Sequence, residues 1–198
     1  MKPHFGYFGL LAGSLFGLSA CAGGTAAHTH APVIRSAQAQ PVIEFPGHPM
    51  KSLVEARDSA GGISLFEVTL PPRTSGPPPH VHHFEDEYFI ILEGELRMLN
   101  GDEIITAKPG MVATLTRGYQ HTFWNNTDQD VRYLLGIASG NFGVFFDEVV
   151  TDIQASGAST PDQIVAIIGQ RAAQRGVDLF PENIPPEQGA LMAPPAAP

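Results

Sequence analysis

The sequence predicts an all-β protein, a sandwich or barrel, with one α-helix near its C-terminus. Three observations carry this. Gly (21) and Pro (18) together make up almost a fifth of the 198 residues while only 16% are charged, which suits a turn-rich sheet protein better than a helical bundle. From Val42 onward the apolar residues fall into short, strand-length runs separated at regular intervals by turn residues. One of those separators, Asn100-Gly101, is the strongest short signal for a hairpin, because both central positions of a type I′ turn need positive φ.

In chain order, residues 63–70 form the first run, with Ile63, Leu65 and Val68 as candidate inward residues despite one slip in the alternation. Residues 87–92 end at Glu93-Gly94, and 95–99 lead into Asn100-Gly101. Runs at 103–106, 111–115, 121–124, 131–137 and 142–150 continue the pattern, parted by Lys108-Pro109-Gly110, Arg117-Gly118, 125–130 and 139–141. The helix starts after Thr160, which has Pro161 at the first helical position and Gln163 three residues past the cap. Ile164, Val165, Ile167 and Ile168 follow at helical spacing, and Gly176 is the expected stop. Residues 185–198, rich in Pro and Ala, read as disordered.

Lys and Arg number 11 against 20 Asp and Glu, a net charge of -9, with no basic cluster. That argues against nucleic acid as a partner and against attraction to an anionic membrane surface. The single cysteine allows no internal disulfide and no Cys-based zinc site.

The domain reading has four parts. Residues 1–20, with Lys2 followed by an apolar stretch and small residues, have the layout of a secretory signal. Leu18-Ser19-Ala20-Cys21 resembles a bacterial lipoprotein box. That resemblance implies cleavage before Cys21, lipidation of its sulfur and a periplasm-facing envelope location held by the acyl chains. Ala22, where an Asp would favour the inner membrane, points to the outer one. The alternative is an ordinary signal peptide with an incidental cysteine. Residues 21–40 read as a flexible tether containing His28-Thr29-His30. Residues 41–155 form the barrel, and 156–198 the helix and tail.

The chemistry concentrates in 76–87, GPPPHVHHFEDE. The proline run fixes an extended approach. His80 and His82 lie two apart, so on a strand they share a face and can bind one metal ion. Glu87 is five past His82, which a single regular strand would turn to the other face, so a turn or bulge must intervene. A second piece is His121, opening the run Thr122-Phe123-Trp124 after a tight turn.

Together these residues resemble the two cupin motifs: Gly76, His80, His82, Glu87 and Gly94 in the first, and Gly110, Thr116-Arg117-Gly118, His121 and Asn125 in the second. Gly76 is closer to His80 than the family pattern has it, and Thr116 stands where the pattern has proline. The resemblance implies a cupin double-stranded β-helix, a jelly-roll barrel, with His80, His82, Glu87 and His121 around one divalent transition metal. Three imidazoles and a carboxylate suit Fe, Mn, Ni, Co or Zn. Elsewhere, His83 is expected to face away from the metal, Glu85 and Asp86 to be solvated loop carboxylates, and Asp147 and Glu148 to lie on the barrel rim.

Residues 76–96 are similar to the single-barrel group labelled quercetin dioxygenase-like. That similarity implies a dioxygenase acting on a small phenolic or enol-bearing substrate, with Glu87 both ligand and proton acceptor. The alternatives are an isomerase or decarboxylase, or a non-catalytic small-molecule- or metal-binding protein of the envelope. The family also implies a homodimer formed through outer strands.

Overall fold

The structure is a computed structural model and describes residues 31–58, 60–138 and 141–192. The secretory-signal reading, Cys21 and His28-Thr29-His30 lie outside the described residues.

Two antiparallel sheets face each other across one core. The first runs in the order β1 (Met50–Val54), β2 (Ser64–Leu70), β10 (Val131–Ala138), β5 (Asp86–Glu93) and β8 (Val112–Leu115). The second runs β11 (Val177–Leu179), β4 (His80–His82), β9 (His121–Asn125), β6 (Leu96–Asn100) and β7 (Glu103–Ala107), with the short β3 (Thr74–Ser75) also paired to β9. This is the expected jelly roll. Inward residues of both sheets, among them Val68, Leu70, Phe89, Ile91, Leu96, Met98, Leu115, Phe123 and Tyr133, form one buried cluster.

β2 alternates strictly, but Ser64, Phe66, Val68 and Leu70 point inward. Of the three residues expected there only Val68 is correct; Ile63 is exposed and Leu65 lies on the outer face near Gly136. The ring of Phe66 decides the register by packing edge-on against Phe146 at 5.1 Å.

Residues 142–150 are not a strand. From Val144 the chain is helical, α1 (Val144–Ser156), ended by Gly157 at φ 70°. The buried residues Phe142, Phe145, Phe146 and Val149 are spaced three, four and seven from the first, which is the period of one helix face rather than of a pleat. Their rings, with Phe45, close one end of the barrel: Phe142 stacks on Phe145 at 5.0 Å and Phe45 meets Phe146 at 5.2 Å.

The expected helix is α2 (Pro161–Gln174), with the capping box of Thr160 and Gln163 formed. It packs on α1 through Arg171, which donates to Asp152 at 2.6 and 3.0 Å, and Arg175, which donates to Glu148 at 2.6 Å. Glu148 is thus an inter-helix partner, not a rim group. The expectation of a single helix also misses α3 (Pro186–Met192). That part of the tail is ordered because Gln188, 0% exposed, donates to the carbonyl of Pro77 at 2.7 Å and to the Thr122 hydroxyl at 3.1 Å. Within the segment read as tether, Arg35 is tied to Asp58 and to the carbonyl of Leu53.

Candidate metal centre

Four elements bring the candidate ligands together. β4 carries His80 and His82, both inward. A bend at 83–85 then crosses to the other sheet, where β5 presents Glu87 inward. This change of sheet resolves the parity problem of the five-residue spacing. His121 opens β9 directly opposite His80.

Local sequence explains the placement. Gly76 donates its N–H to the carbonyl of Phe123 at 3.1 Å, and a Cβ there would sit 2.2 Å from that oxygen, so only glycine allows β3–β9 to close. The Thr116-Arg117-Gly118 turn is pinned beside the site at two points. Gly118 N–H donates to the carbonyl of His82 at 2.9 Å, and the Arg117 guanidinium donates to Asp86 at 2.7 and 3.0 Å. Asp86 is therefore an ion-pair partner rather than a free loop carboxylate, and Arg117 holds its carboxyl down at about 2. Asn125, fully buried, donates to the carbonyls of Leu70, Pro71 and Gln129 and caps its own turn, which makes it a scaffold residue.

The four donor atoms lie within 4.8 Å of one another, in the one group of this kind among the described residues, and all four residues are buried. His121 Nε2 is 3.3 Å from Glu87 Oε2, and His82 Nε2 is 3.8 Å from Glu87 Oε1. Donors on opposite sides of one such ion stand about 4 Å apart, given bonds of about 2 Å, so the cluster fits a single metal after a slight contraction. The Nδ1 atoms face outward onto acceptors: His80 onto the carbonyl of Pro78 at 3.0 Å, His121 onto that of Tyr119 at 3.0 Å, and His82 onto the carboxyl of Glu85 at 3.3 Å. Each ring is thereby turned with Nε2 toward the centre.

The electrostatics suit a cation. Burial, then His121 and His82, push the pKa of His80 down to about 3, so it is a neutral donor. Burial would raise Glu87, but His82, His121 and His80 outweigh it and hold the carboxyl well below its usual range. Burial opposes charge on His82 too, yet Glu87 and Glu85 outweigh it and hold its pKa up. A divalent cation answers the same negative field that favours a proton there.

Around the cluster, Phe142 packs edge-on against His82 at 4.8 Å. His83 faces away as expected and pairs with Asp178 at 2.8 Å. Three residues near the site were not expected there from the sequence. Glu85, expected in solvent, is 5% exposed, while its neighbour Phe84 is 59% exposed. His48 is buried between Phe45 and Phe123, and burial lowers its pKa to about 4. Tyr133 is fully buried against Phe89, its hydroxyl has no hydrogen-bond partner, and its charge neighbour is Glu87. Only Glu85 left a signal, since a carboxylate three residues beyond a ligand histidine is a candidate acceptor for that ring's second nitrogen.

No curated protein matches the chain. Among solved structures it is similar to a polyketide cyclase from Streptomyces resistomycificus, at 21% identity over 59% of this chain and 94% of that one, with a TM-score of 0.47. A predicted oxalate decarboxylase from Thermotoga maritima shares 22% identity over 54% of this chain and 98% of its own, at a TM-score of 0.49. A sugar phosphate isomerase of the cupin superfamily from Silicibacter pomeroyi shares 22% over 55% and 76%, at 0.44. Residues 66–137, the stretch from β2 through β10 that carries all four candidate ligands, match the family model of the cupin domain.

Proposed function

We propose that the chain is a metal-dependent cupin dioxygenase acting on a small phenolic or enol-bearing compound. We further propose that Cys21 anchors it by lipid to a bacterial envelope, facing the periplasm, and that it works as a homodimer. The observation that carries the catalytic reading is the set of four buried donors from facing sheets, His80, His82, Glu87 and His121, gathered within 4.8 Å.

A bound divalent ion of the Fe, Mn, Ni, Co or Zn class supplies Lewis acidity toward a substrate oxygen and, where it is redox-active, electron transfer. The chain's own residues do the rest. Glu87, the one carboxylate of the set, is held ionised by the three imidazoles and accepts the substrate's hydroxyl proton at a carboxylate oxygen. The rings of Phe142, packed on His82, and of Phe123 and Phe89, packed on each other, keep the surroundings of the centre apolar. Tyr133, whose pKa burial pushes well up, stays protonated and can donate to a substrate oxygen.

The depth of the centre supports a second reading, a barrel that holds metal or a small molecule without turnover: none of the four donors is more than 6% exposed. Elemental analysis separates the readings at their root. The protein is purified without added metal and compared with a His80→Ala/His82→Ala variant. About one equivalent of metal, lost in the variant, is the expected result. Oxygen uptake with flavonols and enols, abolished by Glu87→Gln, then supports the dioxygenase. A folded protein that stays metal-free after loading overturns it.

A further inference from the structure

We propose that Glu85 is a positioning residue of the metal centre, fixing the ring of His82 through its Nδ1 so that Nε2 is presented to the ion. The inference rests on the metal reading above and adds to it a residue outside the ligand set.

The three ligand histidines are anchored in two different ways. His80 and His121 each donate to a main-chain carbonyl, of Pro78 and Tyr119, which the turns before them deliver automatically. His82 has instead a side-chain acceptor, Glu85 Oε2 at 3.3 Å. Residues 83–85 form the crossing between sheets, and there the usual order is inverted. Phe84 is turned outward, over the backbone of Gly176, and Glu85 is turned inward to 5% exposure. Burying a carboxyl group is costly unless it is hydrogen-bonded, and the His82 ring is the partner that offsets the cost. The contact also fixes the tautomer: a proton on Nδ1 bonded to Glu85 leaves the Nε2 lone pair free for a metal. With Glu87 as ligand and Glu85 behind His82, two carboxylates flank the same imidazole, which sits 3.8 Å from Glu87 by its other nitrogen. Among the three rings, only the anchor of His82 can be deleted by substitution without touching a ligand.

The test uses Co²⁺ as probe. Its affinity is measured by competition with a chromophoric chelator, and its visible absorption spectrum reports ligand geometry. The proteins are the wild type, Glu85→Ala, Glu85→Gln and, as control, His82→Ala. Loss of such an outer partner lowers metal affinity by about 10–100-fold. Glu85→Ala is expected at the upper end of that range with a changed spectrum. Glu85→Gln keeps an acceptor for Nδ1 and is expected to recover part of the affinity. Wild-type affinity and spectrum in Glu85→Ala overturn the proposal, as does a lowered metal-free melting temperature with Co²⁺ affinity intact, which marks a merely structural role. Should Glu85→Ala fail to fold, unchanged affinity and spectrum in Glu85→Gln overturn it equally. If the wild type binds no Co²⁺, the metal reading itself fails. If it binds and His82→Ala does not, while both Glu85 variants bind normally, only the role of Glu85 fails.

Discussion

His80 and His121 stand directly opposite each other in the β4–β9 pairing, with ring centroids 4.3 Å apart. That one register point decides whether a centre exists. A slip of a single residue would turn His121 away from the core and place Thr122 beside His80. The register is held on both sides, by Gly118 N–H on the carbonyl of His82 and by Gly76 N–H on that of Phe123. Glu87 then meets the pair from the facing sheet.

A bound ion therefore should tie the two sheets together. Divalent metal is expected to raise the melting temperature of the wild type, with a gain of about 2.7 kcal/mol when free metal is a hundredfold above the dissociation constant. His121→Ala removes a fully buried donor and is expected to lose that gain. Melts with and without Mn²⁺ or Co²⁺ check it, and equal stabilisation of the variant would place the ion elsewhere.

His48 sets a pH dependence that is separate from the ligands. Its ring lies between Phe45 at 4.9 Å and Phe123 at 5.7 Å. Burial lowers its pKa from 6.5 to about 4 in the folded chain. Between those values the unfolded state binds the extra proton and the folded state does not. Stability is therefore fully present above pH 6.5 and falls as pH drops toward 4, by about 3 kcal/mol for a shift of this size. His48→Phe should make that part of the profile shallower in metal-free protein, with His80, whose pKa is also lowered, supplying the fall that remains. A variant whose stability falls between pH 6.5 and 4 as steeply as the wild type's would rule His48 out as the source.

Much of this architecture was legible in the sequence, and the failures share a physical cause. The gathering of His80, His82, Glu87 and His121 was readable because side chains able to hold a metal are of few types, and their spacing survives as a pattern. Asn100-Gly101 and the Thr160 capping box were readable because backbone geometry dictates those residues locally. Residues 142–150 misled because a dense apolar run fits both periods. The contact of Phe145 and Phe146 with Phe45, a full hundred positions before the first of them, settles the helix. Glu85 misled because polarity alone says solvent, whereas a buried partner, His82, reverses it, and the Pro- and Ala-rich stretch from 185 misled because the buried contact of Gln188 with the carbonyl of Pro77 orders α3.

Tyr133 carries the opposite signature. Its hydroxyl is buried beside the centre without a hydrogen-bond partner. An unpaired buried donor costs about 1–3 kcal/mol, so Tyr133→Phe, which keeps the ring on Phe89, should raise stability by about 1 kcal/mol. If the hydroxyl serves a substrate oxygen, the same variant binds or turns over substrate less well. A gain in melting temperature with a loss of substrate affinity is the expected pair. A loss of stability would show instead that the hydroxyl is satisfied in solution.

Gln188 tests whether the C-terminal strap belongs to the barrel. α3 touches the sheet beside β3, where the Gln188 amide reaches the Ser75 hydroxyl at 3.2 Å as well as Pro77 and Thr122. These groups lie on the approach to His80, but the ring anchors of His80 and His121 are the carbonyls of Pro78 and Tyr119. Removing the amide strips one of two donors from the Pro77 carbonyl, which keeps the Thr122 hydroxyl, without disturbing either anchor. Gln188→Ala is therefore expected to lower stability by about 1 kcal/mol while leaving metal affinity near that of the wild type. Denaturant melts and Co²⁺ competition on the same preparation separate the two effects. A variant as stable as the wild type would mean that α3 is not docked in solution. One that loses metal in proportion to stability would mean that the proline run, and not the turn carbonyls alone, sets the histidines.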